Sequence, residues 1–480
     1  MKISVVTRNL GVLLLFLSAS MIIPLFFSLY YNDGDALPLI FSSLITASAG
    51  ILLFISSPKT DIITKKEAIG IVTFGWIVIS LFGALPYILS GSITGFTNAY
   101  FESVSGFTTT GSSILNDIEA LPRGILIWRS LTHWLGGMGI IVLALVILPV
   151  LEVGGMNIYK IETPEIGQDR ITPRIKDTAK ILWLIYFSLT AAEILFLLFG
   201  GLSFFEALTN AFGTIPTGGF SPKNGSIAAY QSLYIESVIA FFMFISGINF
   251  FLYYQLFYRR SLDIFRSEEV RFYFTTVLMG AAAIVVDLRL NFYSSLYESI
   301  RYGIFQVISI NSTTGFVTSD FNKWPYFSQF ILIILMFIGA CPGSTTGAIK
   351  NLRIIILLKS IYHEMLHILH PRAIFVMRMN RNPIPPEIIR KVIVYVAMYL
   401  FFFLLASLIM MARGVDIVSS ISAVATTMGG VGPGLGIEGP MGNFSLLPEF
   451  DKWLLTLCMM LGRLEFYAIF ILFVPEFWRK

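Results

Sequence analysis

Four short stretches of this chain carry the residue types that hold alkali cations: TTTG at 108–111, PTGG at 216–219, STTG at 312–315 and GGVG at 429–432, about 100 to 115 residues apart. They offer only oxygen ligands. Glycine permits the positive φ angles that aim successive carbonyl oxygens at one axis, and threonine adds hydroxyl oxygens. Rings of such oxygens replace the hydration shell of a potassium ion in a pore. Small residues also let helices approach closely, and one such stretch alone would fit that role. Four in equivalent places favour a shared pore. A second motif points elsewhere: HEMLH at 363–367 has the spacing that puts His363 and His367 on one helical face around zinc, with Glu364 as base. It sits in the most basic connection, and no later Asp motif offers a third ligand, so a membrane-embedded metalloprotease is a remote alternative.

The segments that must position these stretches are membrane helices. Only 13% of the 480 residues are charged and 56% are hydrophobic, and apolar runs of about 20 residues recur. Long spans are expected at 9–31, 37–56, 67–90, 125–151, 179–200, 232–258, 272–290, 326–358, 391–412 and 452–476, which makes ten crossings. No soluble domain fits between them. Lys2 and Arg8 before an apolar run resemble a signal peptide, but the run continues through Tyr31 and reads as a retained helix. Cys341 and Cys458 lie inside apolar segments and define no disulfide framework. Shorter apolar pieces at 97–107, 204–213, 297–309 and 416–425 precede the four Gly/Thr stretches. Too short to span and too apolar for loops, they read as re-entrant half-helices, which are tolerated only where they line a protected cavity.

Lys and Arg orient the chain. Lys2, Arg8, Lys59, Lys65, Lys66, the groups Lys160 to Lys180, Arg259 to Arg271 and Lys359 to Lys391, and the pair Arg479 and Lys480 all fall on one side. That side is assigned to the cytoplasm, with both termini there. The expected fold is therefore an all-α membrane protein of four pseudo-symmetric repeats (helix, half-helix with strand, helix) around one central pore. The repeats are placed at 63–155, 156–262, 263–375 and 376–480, after an N-terminal two-helix extension at 1–62. Within the third, GACPGSTTGAIKNLR at 339–353 puts helix breakers halfway along a span. Arg463 lies midway through the last span, with Glu465 and Glu193 as candidate partners. Glu102, Glu206, Glu298 and Asp416 occur once per repeat near the outer mouth and could concentrate cations or cap helices.

FESVSGFTTTGSS, GTIPTGGFSP, NSTTGF and GGVGPGLG, with WRSLTHWLGGMGIIVLALVILP at 128–149, resemble the TrkH, KtrB and HKT superfamily of cation transporters over essentially the whole chain. The two extra N-terminal helices fit TrkH best. The resemblance implies a potassium selectivity filter of Thr109, Thr110, Gly111, Thr217, Gly218, Gly219, Thr313, Thr314, Gly315, Val431 and Gly432. Potassium would sit at the backbone carbonyls of Thr110, Gly111, Gly218, Gly219, Thr314, Gly315, Val431 and Gly432. A serine at the first filter position accompanies sodium permeation in the superfamily, and Gly111 here implies potassium selectivity. Pro216 and the Gly429, Gly430, Val431 sequence depart from the threonine pattern and imply imperfect fourfold symmetry. The resemblance also implies an intramembrane gate of Gly343, Ser344, Thr345, Thr346 and Gly347 with Arg463 beneath the filter. It further implies a homodimer in the inner membrane of a prokaryote, and a cytosolic TrkA-type ring on which NAD or ATP-type nucleotides act, docking at loops 153–178, 259–271 and 359–391. No nucleotide-binding motif, covalent cofactor, enzyme activity or nucleic-acid partner is expected. Passive, gated permeation is the favoured mechanism, with proton- or sodium-coupled symport as the alternative.

Overall fold

The computed structural model describes residues 1–58, 64–146, 172–258, 260–373, 375–380 and 382–479. Most of the connection at 153–178, part of the 125–151 span, Lys59, Arg259 and Lys480 lie outside the described residues. The described chain is helical apart from two short strand pairs, Ile338–Gly339 with Ile349–Lys350 in parallel and Arg378–Met379 with Asn382–Pro383 antiparallel. Six helices are long and apolar enough to cross a membrane: Ile3–Tyr31, Ala36–Ile55, Lys65–Leu89, Ala179–Phe199, Glu268–Asn291 and Pro386–Ala412. Counting two bent pairs as single spans raises the number to eight among the described residues.

Two of the spans expected to be straight are bent, and the 326–358 span is broken where its helix breakers stand. Leu233–Ser246 and Phe250–Tyr258 meet at 91°, and Glu449–Leu464 meets Phe466–Phe473 at 112°. The 326–358 span breaks into Tyr326–Phe337, a loop and Asn351–Leu369. Lipid cannot satisfy a freed backbone, so each break needs protein partners. At the first break they come from the loop of the third: Cys341 donates its N–H to the Gly247 carbonyl (3.0 Å) and Phe250 donates to Gly343 (3.1 Å).

The N-terminal helices Ile3–Ser20 and Ala36–Ile55 approach so closely that a methyl on Gly11 would lie 2.7 Å from the Gly50 carbonyl oxygen. Ser18 and Ser43 exchange hydroxyl contacts across the same seam. Small and hydroxylated residues are the usual means of pairing helices in lipid, where apolar burial between helices gains little.

The half-helices are Phe96–Phe107, Phe204–Thr214, Leu296–Asn311 and Ile417–Gly429. Two begin on the acidic residues singled out above. Ser203 and Glu206 form a capping box, and Asp416 accepts the Ser419 N–H. Glu298 lies in the first turn of its helix. Glu102 is different: it is buried in mid-helix and paired with Arg129 at 2.7 Å.

Candidate functional site: the ring of threonine and glycine strands

Each half-helix ends in the same way. The residue two before the key glycine takes a left-handed conformation: Thr109 (φ 53°), Thr217 (57°), Thr313 (55°) and Gly430 (66°). Its N–H returns three residues to Gly106, Thr214, Ile310 or Thr427. The next N–H returns five residues, from Thr110 to Ser105, Gly218 to Gly213, Thr314 to Ser309 and Val431 to Thr426, at 2.8–2.9 Å. This pair of bonds is a Schellman cap, which uses the last helical carbonyls and turns the chain sharply back. A left-handed threonine costs about 1 kcal/mol or more, and the fold keeps three of them. Two have identifiable tasks, since Thr313 Oγ1 accepts the Gly347 N–H (3.0 Å) and Thr217 Oγ1 meets Thr345 Oγ1 (3.3 Å). Gly430 explains one departure from the threonine pattern: it occupies the left-handed position, and the backbone of Gly347 lies against it and Gly429.

The strands that follow close into a ring. Gly111, Gly219, Gly315 and Gly432 all have positive φ, between 78° and 99°. A methyl on Gly111 would lie 2.1 Å from the Gly218 carbonyl oxygen; on Gly219, 2.0 Å from that of Thr314; on Gly315, 1.8 Å from that of Val431; and on Gly432, 2.9 Å from that of Thr110. Each glycine therefore abuts the carbonyl of the next strand, and the fourth returns to the first. At all four positions φ is one that side-chain-bearing residues rarely adopt, and an added methyl would force the neighbouring strand to shift. The negative ends of four half-helices converge on the same ring, which favours a cation there.

Residues 340–348 lie against the end of this ring where the half-helices stop. Thr345 Oγ1 donates to the Ile215 carbonyl (3.0 Å), and a methyl on Gly347 would lie 2.3 Å from the Gly429 carbonyl oxygen. Arg463, buried in the last turn of Glu449–Leu464, donates Nη1 to the Thr345 carbonyl (2.7 Å) and Nη2 to the Gly136 carbonyl (3.3 Å). Its expected carboxylate partners lie elsewhere. Glu465 pairs with Arg353 at 2.6 Å, and both oxygens of the fully buried Glu193 lack a hydrogen-bond partner.

Past the fourth strand, Glu438 is buried with both oxygens unpartnered, and burial, then the nearby Asp416 charge, raises its carboxyl to about 7. His363 and His367 sit in the C-terminal half of Asn351–Leu369, and the described residues contain no group of three or more His, Cys, Asp or Glu able to hold a metal. Sequence reasoning missed Arg129 and His133, although both stand in the quoted WRSLTHWLGGMG segment. An arginine and a histidine one turn apart inside an apolar span were the available signal.

The TrkH cation transport protein family profile matches residues 40–480. The chain belongs to that family. It is 38% identical to the Trk system potassium uptake protein TrkH of Escherichia coli K12, with all of both chains covered. It is 37% identical to TrkH of Halomonas elongata, again over the whole of both chains. Against TrkG of Escherichia coli K12 it is 31% identical, covering 100% of this chain and 99% of that one. The crystal structure of the potassium transporter TrkH from Vibrio parahaemolyticus matches with a TM-score of 0.92 at 33% identity, over all of both chains. The TrkH relationship makes this a multi-pass membrane transporter, and it rules out the metalloprotease alternative for HEMLH.

Proposed function

We propose that this TrkH-family chain carries potassium through the ring by channel-like permeation. The single observation that carries the proposal is the cyclic contact of the four strands, glycine to carbonyl, around one axis. The carbonyls of Thr110, Gly111, Gly218, Gly219, Thr314, Gly315, Val431 and Gly432 are the potassium ligands, with Thr109, Thr217 and Thr313 completing the filter. Residue 111 is glycine, which favours potassium over sodium. Gly343, Ser344, Thr345, Thr346 and Gly347 form the gate, held shut by Arg463, whose charge beneath the ring also opposes cations. The four helix, half-helix and strand units are pseudo-symmetric repeats around this pore, and the bent and broken spans count as crossings, ten in all. The chain works in the inner membrane with both termini in the cytoplasm, as a homodimer regulated by a cytosolic nucleotide-binding ring.

The test is potassium and sodium flux through purified protein in liposomes under an imposed voltage, with Gly315→Ser for comparison. A side chain 1.8 Å from the Val431 carbonyl oxygen must displace the fourth strand. Voltage-driven potassium flux well above sodium, with selectivity lost in the variant, supports the proposal. Flux that requires a proton gradient replaces it with symport, and equal flux of both ions in the unsubstituted protein overturns it.

A further inference from the structure

The second strand lacks what steadies the first and third. In those two strands, hydroxyls pair within the turn: Thr108 with Thr110 and Ser312 with Thr314, each at 2.8 Å. The second strand has Pro216 and Gly218 at the matching positions, and neither carries a hydroxyl. Gly218 needs no positive φ, so backbone conformation does not explain its missing side chain. Space does. A methyl on Gly218 would lie 2.5 Å from the His133 ring. The imidazole, reaching in from helix Arg123–Val146, fills the place that the Thr110 and Thr314 side chains fill in their own strands.

His133 is one layer of a buried stack. Its Nδ1 lies 2.7 Å from the Gly106 carbonyl, so that nitrogen carries the proton. Its ring stacks on Phe220 with centroids 4.0 Å apart, and the Arg129 guanidinium covers Phe220 at 3.5 Å. Arg129 then reaches in two directions, donating Nη1 to the Ser221 carbonyl (3.1 Å) and Nε to Glu102 (2.7 Å). Glu102 in turn accepts the Ile114 N–H (2.9 Å) and the Ser113 hydroxyl (3.0 Å). Arg129, His133, Glu102 and Phe220 are each at most 2% exposed. Arg129 and His133 are four residues apart and so share one helix face. Through them one helix grips the first half-helix, the chain just after Gly111 and the chain on both sides of Gly219.

We propose that Arg129 and His133 are positioning residues for ion selectivity, acting by fixing the second strand and its Gly218 carbonyl against Gly111. The proposal rests on the strands being the ion path. Neither residue touches the ion. Arginine suits this position because its planar fork can stack on an aromatic ring while donating to a carbonyl and a carboxylate together, which lysine cannot do. The remaining strands need no such brace: hydroxyl pairs steady the first and third, and Val431 supplies bulk in the fourth.

Three variants test it in the same liposome flux assay: Arg129→Lys, which keeps a cation beside Glu102 but loses the fork; His133→Ala; and His133→Ala combined with Gly218→Thr. The two single variants are expected to lower the potassium-to-sodium flux ratio by at least about tenfold through higher sodium flux, as a loosened site does. The double variant is expected to recover most of the ratio, because a threonine like Thr110 refills the vacated space. Single variants that conduct with an unchanged ratio overturn the inference. So does loss of all flux in both that the double variant fails to restore, since that pattern marks a purely structural role. Should Arg129→Lys fail to assemble, the two His133 variants decide alone. An unsubstituted protein that passes both ions equally overturns the filter assignment itself, a different result.

Discussion

On the proposed gating role of residues 343–347, replacing Arg463 by methionine should free the loop from its latch. The guanidinium makes two bonds, 2.7 Å to the Thr345 carbonyl and 3.3 Å to the Gly136 carbonyl. Hydrogen bonds from a charged group contribute about 1.5–3 kcal/mol each. Only the Thr345 bond is to the loop, since Gly136 stands on helix Arg123–Val146, so the closed loop loses about 1.5–3 kcal/mol, which shifts the ratio of open to closed loops by roughly 10- to 150-fold. Methionine keeps most of the volume, so the surrounding packing remains filled. In liposomes without any partner protein, voltage-driven potassium flux should rise until the open fraction saturates. Thr345→Val offers a calibrated comparison. It removes the hydroxyl's bond to the Ile215 carbonyl at 3.0 Å and its longer contact with Thr217 Oγ1 at 3.3 Å, together about 1 kcal/mol, and should raise flux by roughly fivefold. Equal or lower flux in Arg463→Met, from protein that remains monodisperse, would refute the latch; a Thr345→Val effect exceeding that of Arg463→Met would refute the ranking of the two contacts.

Two other perturbations read the fold around the ring. Arg353 pairs with Glu465 at 2.6 Å and lies 3.9 Å over the Tyr395 ring, both charges buried. Arg353→Met strands the carboxylate and should cost about 3–5 kcal/mol of thermal stability in detergent, much of it recovered when Glu465→Gln is added; no loss in the single variant would show that the pair is dispensable. Burial holds the Glu438 carboxyl near 7 in the folded protein, so folded chains keep a proton that unfolded chains release. The contribution of Glu438 to stability is therefore fully present below about pH 4.5 and is lost as pH rises through about 7, a loss of roughly 3 kcal/mol at most. Glu438→Gln should flatten that part of a melting-temperature profile, and an unchanged slope would refute the assignment.

Much of the site is legible in the chain because its determinants are local. A half-helix too short to span, followed by threonine and glycine, is visible at 97–107 and its three counterparts. The caps found there are built from residues at most five apart, such as Thr110 returning to Ser105. Gly343 and its neighbours announce the break in the 326–358 span for the same reason: helix breakers act where they stand. The bend at Gly247 to Asn249 is carried by the pair Ser246 and Gly247, which can kink a helix but interrupts an apolar run less visibly than the Pro and Gly cluster of the third break. The bend at Glu465 carried no breaker at all, yet that residue holds φ 62°.

The sequence by itself determined an all-helical membrane chain with four polar strands at half-helix ends, an interruption in the third unit and an arginine buried near the end. Only the tertiary structure decided which groups meet. It paired Glu465 with Arg353, 112 residues away, and set Arg463 on the carbonyl of Thr345, 118 residues away. It also put the His133 ring where strand two lacks a side chain. Turns and caps follow from φ preferences and neighbouring hydrogen bonds, which a short stretch of residues specifies. Partnerships across the ring depend on how helices are stacked, and no period or spacing within one segment encodes them.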